Sequence, residues 1–226
     1  NDPETGEKWH GYKEDGYLPE AFINMLALLG WNPGTDQELF SLQELCDQFS
    51  LERVNKSGAR FNPDKAKWFN HKYLTRKSDK ELARDLNEIL IQNGISYERE
   101  KLEKICHLLK ERANFVSDIY HSSGYFYKAP ETYDEKGVKK CWKEETPGLV
   151  QELIDILEGV SEFTSANTEE AVKTWVSGKE IGFGKVMNPF RLAIIGAADG
   201  PHMFDIIEIL GKEETLKRLR KALATL

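Results

Sequence analysis

The sequence predicts a mainly α-helical protein built from helical subdomains, and two observations favour this class. Apolar residues recur at three- and four-residue spacing through most of the 226-residue chain, which places them on one face of a helix. Segments with the alternating pattern of a strand are few and short, while residue pairs that cap helix N-termini recur.

The most apolar stretch, residues 16–31, predicts the first helix. Pro19 occupies a first-turn position, where its missing N–H group would be unpaired in any case. Gly30 is placed to end the helix with a positive φ, and residues 31–34 then turn the chain. The apolar residues in between share one helical face: Phe22, Met25, Leu26 and Leu29.

Three further helix starts carry their own side-chain caps. In a capping box, a serine accepts a hydrogen bond from the backbone three residues on, and a glutamate at that position returns one. An asparagine followed by proline favours a helix start because the asparagine caps and the proline fits the first helical position. These starts are Ser41 with Glu44, Ser78 with Glu81, and Asn62 followed by Pro63.

The second half of the chain continues the helical pattern. A long helix is predicted over residues 97–120, and residues 121–145 are of mixed character. Gly211 is placed to end a helix that begins at Pro201, and a basic amphipathic helix closes the chain. The other predicted segments are helices from Thr146, over 168–176 and over 179–187, and an apolar segment that opens at Asn188-Pro189.

Domain boundaries are expected near residue 78 and within residues 121–146, where the periodic pattern is interrupted. The chain would then comprise three modules, residues 1–77, 78–145 and 146–226. No repeat of fixed period is evident.

Composition limits the function classes. The net charge of −7 argues against indiscriminate nucleic-acid binding, and no DNA partner is expected. No apolar run reaches the roughly 18 residues that a membrane-spanning helix needs, so no membrane partner is expected either. The N-terminal residues read like the middle of a loop, and we expect an excised fragment. Three well-separated cysteines fit neither a zinc site nor a disulfide framework and favour the cytoplasm: Cys46, Cys106 and Cys141.

No catalytic set emerges from the sequence. It contains no nucleotide-binding glycine motif, no metalloprotease motif and no nucleophile elbow. The five histidines are scattered without metal-ligand spacing, so no metal site is expected.

Residues 53–76 are a basic exception in this acidic chain, with seven basic residues and a single acid, Asp64. Lysines beside a Lys-Ser-Gly turn could contact a phosphate backbone, because they supply positive charge and the turn supplies N–H groups. The alternative is a solvated helix face whose aromatic residues belong to the core. The basic residues are Arg53, Lys56, Arg60, Lys65, Lys67, Lys72 and Arg76.

Arg191 and the glycine-rich turn at residues 196–200 form the second candidate site. An arginine inside an apolar run either pairs with a buried acid or projects towards a ligand. A helix N-terminus beside it could recognise phosphate or base edges. The alternative is an ordinary corner between two helices. Arg112, near the end of the predicted long helix, is a third candidate: it could bond a base edge or make an i, i+4 salt bridge.

Three blocks of sequence closely resemble bacterial-type glutamyl-tRNA synthetases. The first block is GYLPEAFINMLALLGW at residues 16–31. The second is FSLERVNKSGARF at residues 49–61, followed by WFNHKY at residues 68–73. The third is NPFRLA at residues 188–193, with Gly196, Gly200-Pro201 and Gly211 after it. The blocks occur in the family's order, and the resemblance extends from Tyr12 onward.

The resemblance implies a helical stem-contact region followed by an all-helical anticodon-binding region. The family's nucleotide-binding fold, with its HIGH-type and KMSKS-type motifs, would precede residue 1. The full enzyme, a class I ligase, would join glutamate to its tRNA with ATP and Mg²⁺. This chain would bind tRNA as a cytoplasmic monomer, with no catalytic residues and no cofactor of its own. Residues 1–11 resemble an insertion in some bacterial lineages and are given no role.

The resemblance also assigns individual residues. Arg112 falls where discriminating family members read the third anticodon base, C in glutamate tRNA and G in glutamine tRNA. Arg191, Gly200 and Met203 occupy positions that contact the anticodon, although Gly200 departs from the polar residue of some relatives and offers only its backbone. The expected tRNA-backbone contacts are Arg53, Lys56, Arg60 and Lys67.

Two other function classes compete with tRNA binding. A helical protein–protein interaction module is mildly favoured by the acidic net charge. It would bind without the steep salt dependence that phosphate contacts produce. An enzyme with an unrecognised carboxylate site is the third possibility, and nothing in the sequence argues for it.

Overall fold

A computed structural model describes residues 11–56 and 58–226. The described residues are largely helical, which confirms the predicted fold class; outside the helices they show one isolated bridge, between Trp31 and Val54. The predictions made for residues 1–10 and for Ser57 lie outside the described residues. The α-helices are α1 Pro19–Gly30, α2 Leu42–Gln48, α3 Pro63–Arg76, α4 Asp79–Gln92, α5 Arg99–Leu109, α6 Val116–Ser122, α7 Gly124–Tyr127, α8 Glu135–Cys141, α9 Thr146–Gly159, α10 Ser165–Gly178, α11 Phe183–Ile195, α12 Met203–Leu210 and α13 Lys212–Thr225, with 3₁₀ turns at Leu51–Arg53 and Lys110–Arg112.

The chain divides into two compact units, residues 1–121 and 122–226. The division falls at the first residues of the stretch 121–146, where the sequence places a boundary. Near residue 78, where the second boundary is expected, α3 and α4 belong to the same unit. The division into three modules remains a prediction.

The predicted helix starts are confirmed in detail. Both capping boxes are present, with Ser41 and Ser78 each accepting a hydrogen bond from the backbone three residues on. The Asn62 side chain accepts from the backbone of Asp64 and Lys65 at the start of α3, and Pro19 opens α1. The predicted end of α12 at Gly211 is also confirmed.

The predicted left-handed conformation of Gly30 is wrong. Gly30 is the last residue of α1, and the chain leaves the helix through Trp31 in an extended conformation. Tertiary pairing explains the difference. The Asn55 N–H group donates to the Gly30 carbonyl at 2.8 Å, so this carbonyl has a partner without a left-handed residue.

The single helix predicted over residues 97–120 is also wrong. The chain forms α5, a 3₁₀ turn at Lys110–Arg112, an extended residue at Ala113, and then α6. Side chains of α3 take up the carbonyls at the break. His71 Nδ1 lies 2.8 Å from the Ala113 carbonyl oxygen, and Asn70 Nδ2 donates to the Asn114 carbonyl at 2.5 Å. Contacts from distant residues therefore override local helical periodicity here.

Helix boundaries in the second unit differ from the prediction. Helix α10 runs over Ser165–Gly178, where residues 168–176 were expected. Helix α11 begins at Phe183, runs through Pro189 and continues to Ile195, although a proline removes one backbone donor from a helix. Pro189 is buried in the core, which compensates for the lost hydrogen bond through packing. Helix α12 begins at Met203, two residues after the predicted start at Pro201.

Buried polar side chains organise the first unit. Asn24, fully buried on α1, accepts a hydrogen bond from the Phe40 N–H group at 2.8 Å, and the Tyr73 hydroxyl lies 2.5 Å from its Oδ1. Asn70 on α3 accepts from the Leu18 N–H group at 2.7 Å. These bonds fix the position of α3 against α1 and against the segment that leads into α2.

The second unit surrounds an apolar core. Helices α9, α11 and α13 pack on one another, and α10 packs against α9 and α12. Helix α11 contributes six buried residues of its 13, and α12 contributes five of its eight. The core side chains include Leu153, Ile154, Leu157, Phe190, Leu192, Ile207 and Leu219.

Candidate nucleic-acid interface

Arg112 is exposed on a short turn whose two sides are held by other elements. On one side, the Lys110 ammonium donates to the Asp79 carboxylate at 2.8 Å. On the other, the Ala113 carbonyl is fixed by His71 of α3. Within residues 11–56 and 58–226, Arg112 itself makes no ion pair, so the i, i+4 salt bridge considered for it is absent there. The guanidinium is presented to solvent on a rigid support.

Asp79 anchors the turn from the first turn of α4. Burial alone would raise the pKa of Asp79, but the hydrogen bonds and charges of Lys110 and His107 outweigh burial, and the pKa is lowered. His107 Nδ1 lies 3.0 Å from the second carboxylate oxygen of Asp79. The carboxylate is therefore ionised at neutral pH and holds the end of α5 beside α4.

Arg191 and Gly200 lie side by side in the second unit. Arg191 is partly buried on α11, and a Cβ atom built on Gly200 would be only 2.8 Å from Arg191 Nη1. The backbone of Gly200 therefore approaches the guanidinium more closely than any other residue type would allow. The structure brings together two of the residues that the sequence assigns to one site.

The turn that follows α11 is fixed at Gly196. This residue has a φ of 79°, and an added Cβ would be 2.9 Å from Pro130 Cβ and 3.0 Å from the Thr132 carbonyl oxygen. The Asp134 N–H group donates to the Gly196 carbonyl at 2.9 Å. Only glycine fits this conformation and this space, so the segment at residues 130–134 sets the direction in which the turn leaves α11.

Arg218 holds the same turn from α13. Its side chain is 3% exposed, and its Nη1 donates to the carbonyls of Tyr125 at 2.7 Å and Ile194 at 3.0 Å. Its Nε donates to Glu214 at 2.8 Å, which balances the buried charge. Ile194 lies one turn beyond Arg191 on α11, so Arg218 supports the helix end that carries the candidate site.

Met203 does not present its side chain as the sequence interpretation requires. The side chain is 1% exposed and packs in the core at the start of α12. A thioether is a good core residue, and burial here stabilises the helix start. Contact between Met203 and a base therefore remains a prediction, and it requires either the backbone or a rearranged side chain.

The basic residues of the stretch 53–76 differ in how far their charges are already engaged in contacts. Lys56, Arg60 and Lys67 are exposed, as phosphate contacts require. The Arg53 Nη1 instead donates to the Pro33 carbonyl at 2.6 Å, so part of this guanidinium holds the turn after α1. Lys65 forms an exposed ion pair with Glu38, which offsets one of the positive charges of the stretch. The tRNA-backbone role of the four predicted residues remains untested.

Aromatic residues of the basic stretch divide between core and surface. Phe69 and Tyr73 are buried, as the alternative interpretation of a solvated helix with core aromatics expects. Trp68 is 36% exposed, and the Lys72 ammonium lies 5.8 Å from its ring centroid. Such a cation beside an exposed indole is a surface suited to nucleic acid as well as to solvent.

The described residues show no arrangement for metal or membrane chemistry. Among residues 11–56 and 58–226, no three His, Cys, Asp or Glu side chains are grouped so as to hold a metal ion. In the same ranges, no helix combines the length and the hydropathy that crossing a bilayer demands.

Comparison with known protein families gives a match over residues 81–223. A family model described as "Anticodon binding domain" matches residues 81–223, which include Arg112, Arg191, Gly200 and Met203. The chain belongs to the anticodon binding domain family. A second model, described as the catalytic domain of class I tRNA synthetases for E and Q, matches residues 4–68.

Proteins named glutamate–tRNA ligase are among the relatives of this chain. The protein from Flavobacterium johnsoniae is 55% identical over 96% of this chain and 43% of its own length. That from Phocaeicola vulgatus is 49% identical over the whole chain and 45% of its own length. A crystal structure of a glutamate tRNA ligase from Elizabethkingia meningosepticum, in complex with its amino acid, matches with a TM-score of 0.95 and 44% identity, over 100% of this chain and 45% of that one.

The comparisons bear on two interpretations from the sequence. The chain spans less than half the length of these relatives, and the catalytic-domain model reaches residue 68. The stretch interpreted as a stem-contact region therefore overlaps the end of that model. The alternative of a helical protein–protein interaction module receives no support from these relatives.

Sequence reasoning missed Arg218 and the lysines around the start of α11. Arg218 was part of a helix classed only as basic and amphipathic, and its burial among Leu216, Leu219 and Ala222 is visible only in three dimensions. Lys140 and Lys185 are 45 positions apart in the chain and meet at one pocket. The high density of lysine over residues 136–143 was the available signal.

Proposed function

We propose that this chain is the tRNA-binding part of a glutamate–tRNA ligase, which attaches glutamate to its tRNA with ATP. The observation that carries the proposal is the placement of Arg191 against Gly200, within the stretch that the anticodon-binding model matches. An arginine held beside a partly exposed backbone segment can donate hydrogen bonds to a base edge while the backbone contacts the next base. The names and the high identity of the relatives support the amino acid and the tRNA.

Arg112 supplies the specificity in this proposal. Its exposed guanidinium, on a turn fixed by Asp79 and His71, can read the third anticodon base. Lys56, Arg60 and Lys67 contact the tRNA backbone, and Arg53 does so with the N–H groups that Pro33 leaves available. Met203 contributes through its backbone at the start of α12.

The chemical step belongs to the remainder of the longer enzyme. ATP, with Mg²⁺, would supply the adenylyl group that activates the glutamate carboxylate, with pyrophosphate as the leaving group. The described residues contain no carboxylate cluster for the metal and no glycine-rich phosphate loop, so no step is assigned to them. We further propose that the protein acts as a monomer in the cytoplasm.

A titration tests the proposal. The chain is titrated with a glutamate-accepting tRNA and with the same tRNA carrying G in place of C at the third anticodon position, at two salt concentrations. We expect binding to weaken as salt rises, because phosphate contacts release counterions. We also expect the G variant to bind more weakly, because Arg112 loses its hydrogen-bonding partner on the third anticodon base. Equal, salt-insensitive binding of both tRNAs, or no binding of either, would contradict the proposal.

A further inference from the structure

A basic pocket of about 260 Å³ lies in the second unit, beside the start of α11. Lys140, Lys143 and Lys185 line it, and the single acid in the lining is Glu145. Glu145 lies 3.8 Å from Lys185, which is too long for a tight ion pair. In a protein of net charge −7, three lysines that share one concave surface with one acid mark a site for negative charge.

The lysines differ in how much of their charge is already engaged. The Lys143 ammonium donates to the Lys139 carbonyl at 2.5 Å, at the end of α8. Lys140 is exposed and, in the part of the chain that the structure describes, forms no ion pair. Lys140 and Lys185 therefore carry the charge that is available to an anion.

Hydrogen bonds hold the backbone beside the pocket, and the two helices that start there have no side-chain cap. Thr146 Oγ1 accepts from the Lys143 N–H group at 2.8 Å and donates to the Cys141 carbonyl at 3.1 Å, which fixes the segment between α8 and α9. The first turns of α9 and α11 contain no acidic residue, and neither helix has a side-chain cap. The start of α11 thus adds N–H groups and positive potential to the lysines, whereas at the start of α9 Glu145 occupies the N-cap position and Pro147 lacks an N–H group.

The pocket and the candidate base-reading site both draw residues from α11. Lys185, Asn188 and Arg191 follow one another at three-residue spacing on α11, and the first two line the pocket. Six residues of helix span about 9 Å along the axis and about 120° around it, so an RNA strand that contacts both the pocket and Arg191 has to follow the curve of α11. Lys185 and Asn188 are exposed, and Arg191, the next residue of this spacing, is partly buried beside Gly200.

We propose that this pocket is a phosphate subsite that holds the RNA backbone of a nucleotide next to the one that Arg191 reads. The inference rests on the proposed function and extends it to residues that the sequence did not single out. Lys140 and Lys185 donate to the phosphate oxygens, and the Asn188 amide donates to the same phosphate or to the adjoining ribose.

The test compares the wild-type chain with a double variant, Lys140→Gln with Lys185→Gln. We expect the variant to bind the glutamate-accepting tRNA about tenfold more weakly at low salt. Its slope of log K against log salt concentration should be shallower by about 0.7, because one neutralised phosphate on a single strand contributes roughly that much. The ratio of affinities for the C and G anticodon variants should not change, since backbone contacts carry no base information.

Two controls separate the outcomes. Lys217→Gln removes a similar exposed charge from α13, outside the pocket, and should bind like the wild type. The charge-conserving Lys140→Arg with Lys185→Arg should restore most of the affinity. If the wild type binds and discriminates while the double glutamine variant matches it in affinity and salt slope, the pocket inference alone is overturned. If the wild type binds no tRNA, the proposed function and the pocket fail together.

Discussion

The Arg191 guanidinium and the Gly200 backbone occupy adjoining space, since a Cβ on Gly200 would lie 2.8 Å from Arg191 Nη1. The same atom would lie 3.0 Å from Ile195 Cδ1, also on α11. A side chain at residue 200 and the present position of Arg191 therefore exclude each other. The absence of a side chain at residue 200 is what lets the arginine rest against the turn.

Gly200→Ala should weaken tRNA binding while the fold is kept. The added methyl group would displace the flexible end of Arg191, which can swing aside at little cost to stability. We expect about a tenfold loss of tRNA affinity, the equivalent of about 1.4 kcal/mol and of one charge-assisted hydrogen bond. Fluorescence titration with a glutamate-accepting tRNA measures the affinity, and thermal unfolding checks the fold.

Gly178→Ala is the matched control for that substitution. Nothing lies within 4 Å of a Cβ built on Gly178, at the end of α10. This variant should bind tRNA like the wild type. Undiminished affinity in Gly200→Ala would mean that the position of Arg191 is unimportant for binding.

Arg218→Met should destabilise the second unit strongly. The substitution keeps the apolar volume but leaves the Ile194 and Tyr125 carbonyls without this donor and Glu214 without its buried cation. Breaking a buried ion pair from one side costs about 3–5 kcal/mol. Urea unfolding followed by circular dichroism measures the loss, with the two units fitted separately if two transitions appear.

Arg220→Met provides the comparison on the same helix. Arg220 pairs with Glu158 on the surface, and both side chains are about half exposed, at 57% and 44%. Exposed pairs contribute about 0–1 kcal/mol, so this variant should unfold near the wild-type midpoint. A similar loss in both variants would refute the special role of burial at Arg218.

The free energy of unfolding at acidic pH should depend on Glu214. Burial alone would raise the Glu214 pKa, but Arg218 and Lys217 outweigh it and hold the pKa below its ordinary value of 4.5. A carboxylate with a lowered folded-state pKa stabilises the protein above the unfolded-state pKa, and this contribution is lost as pH falls through the folded-state pKa. We therefore expect wild-type stability to fall more steeply below about pH 4.5 than that of Glu214→Gln.

The measurement is a set of urea unfolding curves between pH 7 and pH 3. Glu213→Gln removes one carboxylate from the same turn of α13 and controls for the change in net charge. Parallel stability curves for the wild type and Glu214→Gln across this range would contradict the lowered pKa.

Local signals in the sequence predicted the capped helix starts correctly because the capping chemistry is local. Ser41 with Glu44 and Ser78 with Glu81 satisfy their own backbone groups within four residues, so no tertiary information is needed. Helix ends were harder to predict. The Gly30 carbonyl accepts a hydrogen bond from the Asn55 N–H group, and the Ala113 carbonyl contacts the His71 ring, 42 positions away in the sequence.

The candidate site shows the same division between local and distant information. The apolar run around Arg191 and the glycines after it indicated a turn beside an arginine, and the structure places Gly200 there. The burial of Met203 and the support from Arg218 depend on how α11, α12 and α13 pack. Periodicity gives the buried face of each helix, but it does not show which neighbour covers that face.

Arg112→Gln should relax discrimination between glutamate and glutamine anticodons. The guanidinium can pair with a base edge through two hydrogen bonds, and a neutral amide at the same place has a different donor pattern. We expect the preference for C over G at the third anticodon position to fall by about 1–3 kcal/mol. Because Lys110, His71 and Asp79 hold the turn without Arg112, thermal stability should stay near that of the wild type.

Arg99→Gln, which removes an exposed arginine from the other end of α5, should retain the full preference. An unchanged preference in Arg112→Gln would remove this residue from the anticodon site and leave base reading to the Arg191 corner.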